Sequence, residues 1–123
     1  MSGKPINCNV VIDAAEADGT VVLGNNVSIG PNVVLRASDH IYATTDIPLR
    51  EQGHAGGMII VEHDAWIASN CVITRNVKIG AYAVVAAGSV GLKDVEPCSV
   101  VAGVPARLIK RRATAEQTEK GPR

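Results

Sequence analysis

The chain has no phenylalanine, and its only large rings belong to Tyr42, Trp66 and Tyr82. A β-sandwich of this size would normally fill its core with such rings, so their scarcity points to a narrower interior. No apolar run is long enough to cross a bilayer, and no charged-then-apolar leader stands at the N-terminus. The cysteines Cys8, Cys71 and Cys98 are odd in number, far apart and not in CxxC spacing, so the cytoplasm is the expected compartment. Net charge is also lacking, with 12 basic and 12 acidic residues, but the balance is uneven. From Arg107 to Arg123 there are six basic and two acidic residues, while Met1 to Ala106 holds six and ten. A mildly acidic body with a basic tail argues against a duplex-binding domain and leaves room for a local phosphate site. At 123 residues, one domain spanning 1–123 is expected, with moderate burial.

What the chain does have is a six-residue beat. It runs Leu23-Gly24-x-x-Val27, Ile29-Gly30-x-x-Val33 and Leu35, then resumes as Val61-Glu62-x-x-Ala65, Ile67-Ala68-x-x-Cys71, Ile73-Thr74-x-x-Val77, Ile79-Gly80-x-x-Ala83 and Val85-Ala86-x-x-Ser89. Positions i and i+4 of a strand point the same way. A chain that turns every six residues therefore aims both at one axis. The i column is aliphatic throughout, and the i+4 column holds only Val, Ala, Cys and Ser, sized for the corners of a tight prism. A short fixed period of this kind signals a parallel β-helix, whose repeats bury their apolar face only by stacking. Cys71 falls in the small column and reads as packing.

The beat has ragged ends and one long break. Residues 1–18 form an irregular lead-in in which Ile6, Val10 and Ile12 are candidates for a first, imperfect coil. From about residue 36 to 58 the pattern stops, and that stretch holds His40, His54, Asp39, Asp46, Arg50, Glu51 and a glycine-rich patch. Long loops inside a compact repeat are where function concentrates. Pro97, Gly103 and Pro105 end the regular stacking. The tail, about 106–123, opens with a stretch to about Thr118 that is rich in helix formers and reads as a short polar helix or a fraying end.

Several segments together resemble the hexapeptide-repeat acyltransferases with a left-handed β-helix. They are Ala65-Trp66-Ile67-Ala68-Ser69-Asn70, Ala86-Ala87-Gly88-Ser89-Val90, Lys93-Asp94-Val95 and Val101-Ala102-Gly103-Val104-Pro105-Ala106-Arg107. The break, Asp39-His40-x-Tyr42 followed by Ile47-Pro48-x-x-x-Gln52-Gly53 and Gly56-Gly57, is similar to the sugar and polysaccharide O-acetyltransferase branch. The resemblance spans about Leu23 to Arg112. It implies an all-β, left-handed parallel β-helix with one extruded active-site loop and a short C-terminal helix. It further implies a homotrimer, with acetyl-CoA and a carbohydrate acceptor meeting between adjacent subunits.

His40 is the expected catalytic residue. Acetyl transfer to a hydroxyl needs a base, imidazole suits that role, and a His at this point of the loop plays it in the resembling family. Asp39, Glu51 or a backbone carbonyl would orient it. By resemblance, Ser69 and the backbone at Ala87 receive the pantetheine arm, and Lys93 and Arg107 face the phosphates of coenzyme A, with Lys110 assisting. Asn7 and Asp13 match positions that offer polar groups to acceptor hydroxyls. No acyl-enzyme nucleophile is called for, because no Cys lies beside a His in a family-like motif; direct transfer in a ternary complex fits better. Trp66 reads as structural, stacked outside the coil, with a place at the border of the pantetheine channel as the alternative.

There are departures from the family pattern. Ala68 and Glu62 stand where Gly is usual, and Gly91-Leu92-Lys93-Asp94 replaces Val-Thr-Lys-Asp, which removes a Thr hydrogen bond to the cofactor. The small helical N-terminal module of maltose- and galactoside-type enzymes is not among these 123 residues, which makes a free simple sugar a less secure acceptor. Other readings remain: N-acetyl transfer to an amino sugar, a non-catalytic β-helix subunit, and a carbonic-anhydrase-like zinc protein. The last needs three histidines in a spacing that His40, His54 and His63 do not match, so no metal is expected.

Overall fold

The computed structural model describes residues 5–14 and 17–113. Within them the chain winds into a parallel β-helix with three ladders as its faces. One face carries β2 (Thr20–Leu23), β7 (Met58–Val61) and β10 (Val77–Ile79). The next carries β3 (Ser28–Ile29), β8 (Trp66–Ile67), β11 (Val84–Val85) and β13 (Ser99–Ala102). The third carries β1 (Val11–Asp13), β4 (Val34–Arg36), β9 (Val72–Thr74) and β12 (Val90–Gly91).

Register shows why the beat is six. Ile59 pairs with Val77, Trp66 with Val84 and Val72 with Val90, each 18 residues apart, so three hexapeptides make one turn. The corners between strands share a backbone solution. Asn26, Asn32, Asp64, Asn70, Asn76, Tyr82 and Gly88 all have φ between 59° and 75°. Each lies three residues past an i position, just ahead of the small i+4 side chain. Asn, Asp and Gly tolerate this left-handed region best, and six of the seven corners use them. The corners next to Ala68 and Glu62 keep the 18-residue register, so neither departure from Gly disturbs the coil.

The axis is filled as the two columns require. Ile29, Leu35, Val61, Ile67, Ile73, Ile79 and Val85 are buried, as are Val27, Val33, Ala65, Cys71, Val77, Ala83 and Ser89. Leu23 is half-buried because β2 is the terminal strand of its ladder, with no strand beneath it among the described residues. The lead-in does form an imperfect coil: Ile6 bridges to Ile29, and β1 pairs with β4.

The tail differs from expectation. Arg107–Arg111 is a strand, β14, antiparallel to β13, and not the start of a helix. Helix propensity is outweighed because β13 is the last strand of its face and its backbone groups need a partner. Residues 114–118 of the expected helix lie outside the described residues. No helix among the described residues is long and apolar enough to cross a membrane.

Candidate functional site

The break in the beat is a β-hairpin arm. Thr20 pairs with Met58 and Val34 with Val72, offsets of 38 where the regular coils show 18, so twenty residues are extruded between β4 and β7. The arm consists of β5 (Ser38–His40) and β6 (His54–Gly56), paired antiparallel, with a 3-10 turn at Leu49–Glu51 near its tip. Its neck is closed by Gly57 N–H donating to the Ala37 carbonyl at 2.8 Å. Gln52 organises the tip: its amide donates to the carbonyls of Thr44 (2.8 Å) and Ile47 (3.1 Å) and accepts from Thr44 N–H (3.3 Å).

His40 is exposed on this arm, directly across the ladder from His54, with ring centroids 4.6 Å apart. Asp39 does not orient it. Side chains alternate along a strand, and the Asp39 carboxylate reaches Arg36 Nε (3.5 Å) and Arg75 Nε (3.4 Å). Nor does an ion pair join His40 to Glu51 among the described residues. Arg36 also pairs with Asp13. Asp13 is thus tied through Arg36 and Asp39 to the strand that bears His40. Asn7 lies ahead of β1, exposed, its side chain accepting from Cys8 N–H at 3.0 Å.

A second cluster sits where β14 folds back on β13. Lys93 and Arg107 line one groove of about 330 Å³, together with Glu96, Ser99 and Arg111. Arg111 donates to Ser99 Oγ at 3.3 Å and pairs with Glu96 at 2.8 Å. Among the described residues neither Lys93 nor Arg107 has a carboxylate partner, leaving two unneutralised cations beside an open groove. That is a fitting environment for phosphate. Arg111 was not singled out by sequence. Its signal was the basic run Arg107, Lys110, Arg111 and Arg112, which does not say which cation turns inward. Ser69 and Ala87 sit at corners one coil apart, where Gly88 N–H donates to the Ser69 carbonyl at 2.9 Å. The structure thus gathers Lys93 with Arg107, and Ser69 with the Ala87 corner, in two separate places.

The remaining candidates have local roles. His63 Nδ1 lies 3.0 Å from Asp64, and its ring meets Tyr82 edge-on. Trp66 stands half exposed on the outer side of its ladder. The buried Cys71 donates its Sγ–H to the Ala86 carbonyl at 3.0 Å. Burial pushes its pKa up against smaller opposing effects of backbone hydrogen bonds from Ser89 and Gly88. A buried, neutral thiol is a poor nucleophile. No group of three His, Cys, Asp or Glu side chains able to hold a metal ion occurs among the described residues.

Fold and site define a hexapeptide β-helix protein that displays a histidine on an extruded arm and a basic groove beside its last coil. No family model matches the chain. Individual proteins do. The galactoside O-acetyltransferase of Escherichia coli K12 is 40% identical over 94 residues, which is 76% of this chain and 45% of that protein. A 2,3,4,5-tetrahydropyridine-2,6-dicarboxylate N-acetyltransferase of Staphylococcus aureus is 42% identical over 62 residues, 50% of this chain and 26% of that one. The chain spans less than half the length of these curated relatives. Among solved structures, the hexapeptide-repeat acetyltransferase VCA0836 of Vibrio cholerae, complexed with acetyl-CoA, superposes with a TM-score of 0.62 at 30% identity, over 89% of this chain and 66% of that one. AntD, an N-acyltransferase from Bacillus cereus in complex with dTDP-4-amino-4,6-dideoxyglucose and coenzyme A, reaches 0.77 at 21% identity, over 94% and 63%, a likeness of fold alone. The chain belongs to the hexapeptide-repeat acyltransferase family, and its coil is the left-handed parallel β-helix.

Proposed function

We propose that the protein is an acetyl-CoA-dependent O-acetyltransferase acting on a hydroxyl of a sugar or polysaccharide precursor, with His40 as general base. The observation that carries this reading is the arm. Its register-breaking hairpin is braced at the neck, by Asp39 and by Gln52, and it carries an exposed imidazole. His40 takes the acceptor's hydroxyl proton as the oxygen attacks the thioester carbonyl. The tetrahedral intermediate then collapses, the C–S bond breaks, and the departing thiolate recovers the proton from the imidazolium. Donor and acceptor meet directly, and the buried Cys71 thiol forms no acyl-enzyme.

Lys93 and Arg107 hold the phosphates of the donor in their groove, joined by Arg111 when it releases Glu96. Ser69 and the Ala87 backbone line the pantetheine, and Asn7 and Asp13 face the acceptor. A homotrimer would bring the arm of one subunit to the donor groove of the next. A cytoplasmic setting goes with this donor and with three cysteines that are all free. N-acetylation of an amino sugar is the second reading; the N-acetyltransferase relative supports transfer to nitrogen, though its own acceptor is a dicarboxylate. His40 serves either acceptor.

The first test is thermal stability with and without acetyl-CoA. Ligand at 100 times its Kd stabilises the native state by about 2.7 kcal/mol. Wild type should show that shift and Lys93→Ala/Arg107→Ala should lose it; no shift at millimolar acetyl-CoA would sink the transferase reading. His40→Ala should keep the shift while transfer to a sugar acceptor falls by roughly 10²–10⁴. Sedimentation equilibrium tests the trimer.

A further inference from the structure

The root of the arm lies against one corner of the coil above it. Arg36 pairs with Thr74 and Ile59 with Val77. Between those pairs the lower coil sends out residues 37–58, whereas the upper coil turns in two residues, Arg75 and Asn76. Both legs of the arm meet that corner. On the outgoing leg, the Asp39 carboxylate lies 3.4 Å from Arg75 Nε. On the returning leg, Met58 N–H donates to Asn76 Oδ1 at 3.3 Å. The approach leaves no room for another side chain, because a Cβ added to Gly57 would run into the Asn76 amide. Gly57 in turn donates its N–H to the Ala37 carbonyl (2.8 Å) and accepts from Thr20 N–H (3.0 Å).

We propose that Arg75 and Asn76 form a clasp on the arm and are positioning residues for His40. Successive side chains of a strand point to opposite faces, so the direction of one sets that of the next. Holding Asp39 against the coil therefore fixes the roll of β5 and the face on which His40 stands. Arg36 adds a second cation from β4, so the carboxylate is held from two successive coils. Asn76 fixes the other leg where it rejoins the ladders. Ion pairs this exposed add little to global stability, so the clasp governs where the arm points and not whether the coil folds. Placement matters steeply to transfer, since a displacement of about 1 Å can cost about a hundredfold in rate. That consequence rests on the proposed function; the clasp itself does not.

The test compares Arg75→Met and Asn76→Gly with wild type, glycine being able to keep the left-handed corner (φ 63) that Asn76 occupies. In both variants amide hydrogen exchange across residues 38–56 should quicken about two- to fivefold, while β8 and β11 exchange as before. The ring signals of His40 should shift in NMR spectra and those of His63 should not. Arg75→Met should melt close to wild type. In the transfer assay kcat should fall about tenfold to a hundredfold with the KM for acetyl-CoA unchanged. Arg75→Lys should restore most of the rate, because a point charge suffices for an ion pair at 3.4 Å. Arm exchange and His40 signals that ignore both substitutions overturn the clasp, and a loosened arm with an undiminished kcat overturns the positioning role. A wild-type protein that transfers no acetyl group fails the functional reading alone, since exchange and spectra decide the clasp separately.

Discussion

Cys71 occupies a position where the coil column holds only small side chains, and its thiol is buried against the carbonyls of Val85 and Ala86. Burial favours the neutral form, and the pKa is raised accordingly. A thiol reagent near neutral pH should therefore titrate Cys8 and Cys98 in the native protein, with the third thiol released only on unfolding. The same shift sets a stability slope. Below the unfolded thiol's pKa, about 8.5, both states hold the proton and stability is unaffected. As pH rises beyond that value the unfolded chain ionises first, so stability falls until the folded pKa is passed. Urea midpoints should decline above about pH 8.5, and Cys71→Ala should flatten the decline. At this scale the sequence already identified Cys71 as packing and set His40 apart as a histidine in the one long break. It did not reveal the partnership of Asp13 with Arg36, 23 residues away. That contact depends on how far the irregular first coil is offset from the second, and the beat says nothing about that.

Among the elements, the corners specify the coil as much as the strands do. Gly88 has φ +75, and a Cβ added there would meet nothing within 4 Å, so its requirement is conformational. Gly80 has the opposite problem: a Cβ there would lie 2.5 Å from Pro97 N and 2.8 Å from Glu96 C, both backbone atoms. Gly88→Ala should cost about 1–2 kcal/mol from left-handed strain. Gly88→Asn should cost less, since Asn70 holds the equivalent corner one coil earlier and Asn76 turns another corner with a similar φ. Gly80→Ala should cost most, about 1–3 kcal/mol or more from overpacking. Chemical denaturation of the three variants checks the order, and a Gly88→Asn as damaging as Gly80→Ala would show that the corner rule is wrong. The strands were legible because side-chain alternation writes itself into the hexapeptide. β14 was not, because its conformation is set by the unpaired edge of β13 and not by its own helix-forming residues.

For the whole molecule, scaffold and chemistry are separable. The arm adds twenty residues to one coil, and the strands on either side of it keep their places in the three ladders. In the coil above, Thr74 is followed by Arg75 and Asn76 before Val77. Arg36 pairs with Thr74 and Ile59 with Val77, so a chain lacking residues 38–57 would run Arg36, Ala37, position 58, Ile59 and regain the 18-residue offset. Asn76 turns its corner at φ 63, so the deletion should carry Met58→Asn. It removes the Asp39 ion pairs, which are more than a third exposed and of small worth, and the buried Ser38 hydroxyl, which has no hydrogen-bond partner. The shortened protein should melt cooperatively and still be stabilised by acetyl-CoA, because Lys93, Arg107 and Arg111 lie at the far end of the coil on β13, β14 and their approach. On the proposed function acetyl transfer should be undetectable, because His40 has gone with the arm. If the acetyl-CoA shift disappears as well, the arm belongs to the donor site and the two-part division of this molecule fails.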